Sequence, residues 1–208
     1  ISLFLAGKHN LQLNLVIIFA LQVESSASII PSDISSIGNG LSLSRIGRLF
    51  SLDAQEILIK GITDREVAVL LKYDTDNLYI AFRNLTDSQN INLNAEVLIN
   101  TSIEEPVWSD HCYWFHASYG NCSAIGQYYY WDNCTTQPMG WIANTFPFKN
   151  GNNNMEFKIS FSKLNMAPKK GQQLKIAFKL SDPLEQQVYW PEVANIENPT
   201  SWGLIIIL

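Results

Sequence analysis

Histidine and cysteine are the side chains of this 208-residue chain best suited to metal or nucleophilic chemistry, and there are three of each. No two of Cys112, Cys122 and Cys134 form the C-x-x-C pair of zinc, redox or c-type haem sites. His111 and His116 are five residues apart on one predicted strand, so they face opposite sides of it. The sequence has no G-x-S-x-G, H-E-x-x-H or phosphate-binding glycine loop. These patterns predict no enzyme activity, no metal site and no cofactor.

An aromatic stretch, Tyr113–Trp114 followed by Tyr128–Trp131, is the best candidate for a binding site. On a strand, Tyr128 and Tyr130 would share one face, and Tyr129 and Trp131 would share the other. One of these two pairs is predicted to belong to the core. The other would be a platform for stacking sugars, a shelf for the protein's own glycans or a subunit contact.

Composition excludes several classes of protein. Apolar residues make up 47% of the chain and aromatic residues 12%, which is too apolar for intrinsic disorder. The net charge of −5 and the pI near 5.1 do not give the basic surface that nucleic acids and anionic membranes require. Only 16% of residues are charged, and the remaining polarity comes from uncharged side chains. We therefore expect no nucleic-acid partner.

Two features predict export. The first is that the chain starts at Ile1 and not at methionine, which we interpret as removal of an upstream segment. The apolar run Leu15–Leu21 is too short to span a bilayer, which needs roughly 20 residues. That run resembles part of a signal peptide, but we favour a mature chain that is extracellular, at the cell surface, and not inserted in a membrane. Four N-x-[ST] sequons predict N-linked glycans; they begin at Asn84, Asn100, Asn121 and Asn133.

An oxidising compartment would allow the three cysteines one disulfide and one free thiol. If residues 111–117 and 127–132 form a hairpin, its centre lies near residue 123. Cys112 and Cys134 are equidistant from that centre and would face each other, which predicts a Cys112–Cys134 disulfide. A Cys122–Cys134 loop bridge remains the alternative.

Alternation with a period of two dominates the sequence and predicts strands. Glu66–Tyr73 and Leu78–Asn84 flank the polar turn 74–77, as in a hairpin. About ten such strands with polar turns predict an all-β fold, an antiparallel β-sandwich over residues 41–208. The other predicted strands are Leu41–Ile46, Gln55–Lys60, Ala95–Asn100, His111–Ala117, Gln127–Asp132, Trp141–Phe146, Met155–Phe161, Leu174–Leu180 and Gly203–Leu208.

Two segments carry a family resemblance. Asp74–Phe82 resembles the "YD..NLYVAF" hairpin of family-9 carbohydrate-binding modules and DOMON-like sandwiches, and Tyr189–Pro191 with Asn198–Leu208 resembles their closing segment. The resemblance covers roughly residues 41–208. It implies a sandwich that binds sugar, binds haem or serves as a scaffold. It also nominates His116 and the three methionines as haem ligands; the methionines are Met139, Met155 and Met166. Trp190 and Trp202 are separately predicted to be core plugs at the end of the sandwich.

Residues 1–24 lie outside such a sandwich and are predicted to form a separate strand, joined by a Ser/Gly/Pro-containing linker at 25–40. Every odd position from 11 to 23 is large and apolar, a stripe that would contribute on the order of 10 kcal/mol when buried. These residues are Leu11, Leu13, Leu15, Ile17, Phe19, Leu21 and Val23.

This strand has two possible positions. It can fold back onto its own sandwich, or it can complete the sheet of the next subunit by β-strand addition. Head-to-tail donation does not close and would give a homopolymeric filament. That layout resembles the donor-strand-complemented filaments of type-1 pilins and of the glycosylated archaeal threads. Low charge and many uncharged polar residues suit a surface exposed to acid, where carboxylates become protonated and their ion pairs are lost. This composition favours the archaeal case.

Three hypotheses follow. The first is a structural subunit of an extracellular, glycosylated filament with a role in adhesion or biofilm. The second is a secreted carbohydrate-binding module, and the third is a haem-binding DOMON-like domain. The N-terminal strand distinguishes the first from the other two, since neither of them needs it.

Overall fold

The computed structural model describes residues 19–21, 55–60, 66–86, 93–117, 120–126, 130–132, 134–147, 153–184 and 186–207. Within these ranges the regular elements are β-strands and one short 3₁₀ turn, and no helix is long and apolar enough to cross a membrane. The strands are β1 (Phe19–Leu21), β2 (Gln55–Ile59), β3 (Val67–Tyr73), β4 (Asn77–Arg83), β5 (Asn94–Asn100), β6 (Cys112–His116), β7 (Cys122–Ile125), β8 (Trp141–Pro147), β9 (Asn153–Ser160), β10 (Gln173–Ser181), β11 (Gln187–Trp190) and β12 (Gly203–Ile207), and the 3₁₀ turn is Pro199–Ser201.

The strands form two sheets. The first sheet has the order β1-β12-β10-β5-β6-β7, with β11 also paired to β10, and the second has the order β2-β3-β4-β9-β8. All pairs are antiparallel except β1 with β12. The predicted all-β sandwich is therefore confirmed.

The apolar stripes of the sequence line the space between the sheets. Phe82 contacts Phe157 of its own sheet and Phe178 of the other, with ring centroids 5.9 and 5.5 Å apart. Trp190 is buried in this core, as predicted, whereas Trp202 is buried in a separate small cluster outside it. Gly203 allows the close approach of Trp190, because a Cβ there would lie 2.7 Å from its ring carbons. The predicted stripe residues of β9 and β10 are all buried: Met155, Phe157, Ile159, Phe161, Leu174, Ile176, Phe178 and Leu180.

Most predicted strands are present, with two additions and one error. The turn after β3 is stabilised by Asp74, whose carboxylate accepts hydrogen bonds from the N–H groups of Asp76 and Asn77 at 2.8 and 2.7 Å. Strands β7 and β11 were not predicted. Gln127–Asp132 is not the partner of β6: Trp131 makes only an isolated bridge to Ala124, and residues 127–129 lie outside the described residues. So does the predicted strand Leu41–Ile46.

The predicted Cys112–Cys134 disulfide is wrong, and the alternative, Cys122–Cys134, is present with a Cα–Cα distance of 4.4 Å. The hairpin turns earlier than expected, since Gly120 (φ 119°) lies two residues before the start of β7 and Cys122 pairs with His116. Two backbone hydrogen bonds between Asn121 and Thr135 then bring Cys134 beside Cys122. Cys112 is free and buried, and burial raises the pKa of its thiol.

The described part of the N-terminal strand pairs within its own chain. Phe19–Leu21 lies parallel to β12, with Phe19 opposite Ile205, and also approaches β2 and β3 of the other sheet. It therefore occupies the edge where the two sheets meet, the cis arrangement left open by the sequence. Linker 25–40 and the other stripe residues lie outside the described residues; the latter are Leu11, Leu13, Leu15, Ile17 and Val23.

Candidate functional site

The outer face of the first sheet carries charged residues near its centre, where β5 lies between β6 and β10. Strand register places Glu96 of β5 beside Lys179 of β10 on one side and His116 of β6 on the other. Val97, the next residue of β5, is buried in the core between the sheets. Because side chains alternate along a strand, Glu96 and its two partners project from the opposite face.

The Glu96 carboxylate is only 4% exposed and has three partners. Its Oε1 lies 3.3 Å from Lys179 Nζ and 3.2 Å from His116 Nδ1, and Trp114 Nε1 donates a hydrogen bond to its Oε2 at 2.5 Å. Burial alone would raise the pKa of Glu96, but His116, Lys179 and Trp114 outweigh it and lower that pKa below its ordinary value. The carboxylate is therefore ionised, and it accepts hydrogen bonds from Lys179 and Trp114.

Trp131 lies over this cluster and is 42% exposed. Its ring centroid is 4.8 Å from that of Trp114 and 5.5 Å from that of His116, whose side chain is partly buried. Lys179 Nζ lies 5.2 Å from the centre of the Trp114 ring, a cation–π contact. We call Trp131, Trp114 and His116, with the Glu96–Lys179 pair beneath them, the Trp131 site. It offers an apolar surface bordered by hydrogen-bonding groups.

The aromatic stretch stays a candidate binding site, but its predicted burial pattern is wrong. Tyr130 is 78% exposed and Trp131 is also exposed, although one of them was expected in the core. The reason is that residues 130–132 form no regular strand, so strict alternation does not apply to them. Tyr113 is buried, while Tyr128 and Tyr129 lie outside the described residues.

A second aromatic cluster supports the Trp131 site from below. Trp108 and Trp202 are buried on the same outer face, with ring centroids 5.8 Å apart, and Trp108 is 6.4 Å from Trp114. The Trp108 indole N–H donates to the carbonyl of Ile196, and that of Trp202 donates to the carbonyl of Asn195 at 2.9 Å. Each buried indole thus has a hydrogen-bond partner, and the cluster is a small hydrophobic core.

The sequons differ in accessibility. Asn100 is 0% exposed, and its Nδ2 atom is buried without a hydrogen-bond partner among the described residues. Asn121 is also buried, within the edge of β7. The glycans at Asn100 and Asn121 stay predictions, and each would have to join an amide that this fold buries. Asn84 is half-buried, and Asn133 lies outside the described residues.

The nominal haem ligands are not grouped. Met155 is buried between the sheets, Met166 packs against that core, and Met139 is almost fully exposed. His116 lies on the outer face and contacts Glu96. Within the described ranges, no cluster of three or more histidine, cysteine, aspartate or glutamate side chains is suited to hold a metal ion.

The outer face of the second sheet also buries a carboxylate. Glu156 of β9 lies between Ala81 and Asn144 and is 8% exposed. Its Oε2 has no hydrogen-bond partner among the described residues. Burial raises the pKa of Glu156 to about 7, against the opposing charge of Arg83.

Sequence reasoning missed the charged members of the Trp131 site. Glu96 stands alone in the otherwise uncharged strand Asn94–Asn100, and Lys179 lies near the end of the apolar strand β10. A single charge within such a strand is a usable signal, since buried charges need partners. The sequence did not indicate these partners, because residues 96, 116 and 179 become neighbours only through the register of three strands that are separated in sequence.

No protein-family model and no curated protein sequence matches the chain. The solved structures that are similar in fold include two of a family-9 carbohydrate-binding module (CBM9) from Caldicellulosiruptor kristjanssonii. The complex with cellotriose is 13% identical with a TM-score of 0.54, covering 92% of this chain and 92% of that chain. The complex with glucose is 14% identical with a TM-score of 0.54, covering 92% of this chain and 95% of that chain. The chain thus has a β-sandwich fold like that of a CBM9, as its resemblance implied.

Proposed function

We propose that this protein is a non-catalytic carbohydrate-binding domain whose ligand contacts the Trp131 site. One observation carries the proposal: the exposed indole of Trp131 packs beside the His116 imidazole, above a buried and charge-balanced Glu96–Lys179 pair. The likeness in fold to modules crystallised with cellotriose and glucose supports this class of ligand.

The chemistry of the site suits a sugar ring. A pyranose has a face of C–H groups, which an exposed indole can cover, and a border of hydroxyl groups, which need donors and acceptors. His116 directs Nδ1 towards Glu96. We expect the opposite ring nitrogen to bond a ligand hydroxyl, with Glu96 fixing the orientation of the ring.

The two buried carboxylates of the described residues do not form the pair that glycoside hydrolysis uses. That reaction uses two carboxyl groups about 5–9.5 Å apart on either side of one bond. Glu96 and Glu156 are the buried carboxylates of the described residues. They lie on outer faces of different sheets, and packed sheets are already about 10 Å apart. The two cannot flank one glycosidic bond.

Binding to a glycan array, followed by calorimetry with the sugars that bind, tests the proposal. We expect Trp131→Ala to weaken binding at least about 30-fold, since a central aromatic contact contributes about 2 kcal/mol or more. Leu184→Ala is the matched control, because Leu184 is also exposed but lies in the turn after β10. Unchanged affinity in Trp131→Ala, or a wild-type protein that binds no sugar, would refute the proposal.

The proposed location is extracellular. The Cys122–Cys134 disulfide suits an oxidising compartment, and the sequons at Asn84 and Asn133 remain candidates for glycosylation. The intact mass of protein purified from its native source is the test. A mass equal to the 23.5 kDa polypeptide would exclude glycans at both positions.

A second candidate function concerns β1, which pairs with β12 of its own chain in this structure. We also propose that this strand can complete the sandwich of a neighbouring copy, giving an extracellular filament polymerised by donor strand complementation. β1 lies between β12 and the second sheet, a position that the same strand of another copy would fit. Residues 22–54 connect β1 to β2 and could extend about 100 Å. Sugar binding would then give the filament a role in adhesion.

Electron microscopy of purified protein distinguishes the two positions of β1. If exchange occurs, deletion of residues 1–24 abolishes fibres. Ile17→Asp should do the same, because it would bury an unpaired carboxylate at several kcal/mol. A monomeric native protein with β1 paired in cis, or fibres formed without residues 1–24, would rule out the filament.

A further inference from the structure

A short clamp holds the segment that carries Trp131 against β7. Ser123 and Asp132 exchange three hydrogen bonds. The Ser123 N–H donates to Asp132 Oδ1 at 2.6 Å, the Ser123 hydroxyl donates to Oδ2 at 2.7 Å, and the Asp132 N–H donates to the Ser123 carbonyl at 2.9 Å. Ser123 is itself buried, so the clamp is anchored in the sandwich.

The clamp takes the place of a neighbouring strand. β7 is the last strand on its side of the first sheet, and an edge strand presents backbone groups that need other partners. Asp132 satisfies the N–H and the carbonyl of Ser123 in the middle of that edge. At the start of β7, the Cys122–Cys134 disulfide and the Asn121–Thr135 hydrogen bonds fix the same segment.

We propose that Asp132 is a positioning residue for sugar binding: it holds Trp131, its neighbour in sequence, at the angle at which the ring meets the ligand. This inference rests on the proposed function of the Trp131 site. The Trp131 ring is tilted 52° from that of Trp114, so it is not locked by parallel stacking. Without the carboxylate the ring samples more orientations, and ordering them on binding reduces affinity.

Three substitutions should weaken the Ser123–Asp132 hydrogen bonds to different degrees. Asp132→Ala removes both side-chain hydrogen bonds to Ser123, Ser123→Ala removes one, and Asp132→Asn keeps an acceptor for the Ser123 N–H and an amide beside its hydroxyl. Asp182→Ala is the matched control. The Asp182 carboxylate also accepts two backbone hydrogen bonds, from Leu184 and Gln186 at 2.9 and 2.8 Å, in the turn between β10 and β11.

Fluorine NMR of full-length protein labelled with 5-fluorotryptophan measures the ring position without a ligand. The chain has six tryptophans, and the Trp131 resonance is identified by its loss in Trp131→Phe. We expect Asp132→Ala to shift or broaden this resonance and to leave that of Trp202 unchanged. Affinity for cellotriose should fall at least tenfold in Asp132→Ala, less in Ser123→Ala, and within threefold in Asp132→Asn and Asp182→Ala.

The outcomes separate the two proposals. If the wild-type protein does not bind cellotriose, the proposed function fails for this sugar, and the Trp131 resonance still decides whether Asp132 positions the ring. An unmoved resonance, or an unchanged affinity in Asp132→Ala when the wild type binds, overturns the inference. A fall in affinity accompanied by a shift of the Trp202 resonance also overturns it, because the effect would then be general unfolding.

Discussion

Glu96 and Glu156 occupy similar positions on the two outer faces of the sandwich, yet their pKa values shift in opposite directions. Both lie in central strands and both are buried. Burial acts on each in the same direction, but partners lower the pKa of Glu96 while that of Glu156 is raised to about 7. The difference lies in what the neighbouring strands supply.

Register supplies Glu96 with Lys179 and His116, whereas Glu156 faces Ala81 and Asn144. The first face therefore holds a permanent charge pair under an exposed indole, an arrangement suited to a polar ligand. The second face holds a carboxyl group that changes its charge near neutral pH. The comparison shows that a buried carboxylate keeps its charge where neighbouring strands supply partners and is more readily protonated where they do not.

The largest effect is expected from removing the cation of the first face. Lys179→Met leaves Glu96 buried with only His116 and Trp114 as partners. We expect the free energy of unfolding to fall by about 3 kcal/mol, because breaking a buried ion pair leaves an uncompensated charge. Urea denaturation at pH 7 measures it.

The double substitution Lys179→Met with Glu96→Gln is the control, and it should recover most of the loss, since no buried charge then remains. A loss below about 1 kcal/mol in Lys179→Met alone would show that His116 and Trp114 are enough to stabilise the Glu96 charge. The ion pair with Lys179 would then not explain the difference between Glu96 and Glu156.

The second effect is a pH dependence from Glu156. Between its ordinary pKa of 4.5 and its folded value of about 7, the folded protein binds more protons than the unfolded chain. Stability should therefore fall as pH rises through this window, by about 2 kcal/mol between pH 5 and pH 8. Chemical denaturation across this range gives the slope.

Glu156→Gln should abolish this slope and stabilise the protein at pH 8. Glu96 should act in the opposite sense: the stability it contributes is lost only as pH falls below about 4.5, through its lowered pKa. A Glu156→Gln protein with the wild-type slope would show that the buried carboxyl of the second face does not titrate as proposed.

The smallest effect concerns Tyr79, which lies on the same face as Glu156 but has a partner. Its hydroxyl donates to Asp74 Oδ2 at 2.7 Å, and burial together with this bond raises its pKa. Tyr79→Phe should cost about 1 kcal/mol, the usual net value of one hydrogen bond. Thermal melts at pH 5 and pH 8 should show the same loss. A loss that depends on pH would link Tyr79 to Glu156.

Local patterns in the sequence were sufficient for most strands. The alternation in Met155–Phe161 and Leu174–Leu180 predicted both core stripes, and the polar residues 74–77 predicted the turn between β3 and β4. They failed at residues 130–132, which form no regular strand and are held by Asp132 and the nearby disulfide.

The sequence by itself determined the all-β class, the core-facing residues of most strands and the aromatic stretch that contains Trp131. These depend on side-chain period and turn chemistry, which are properties of neighbouring residues. Only the tertiary structure decided the partner of Cys134, the burial of Asn100 and the pairing of Glu96 with Lys179. Each depends on which strands become neighbours and in what register, and that choice is made by packing of the whole sandwich.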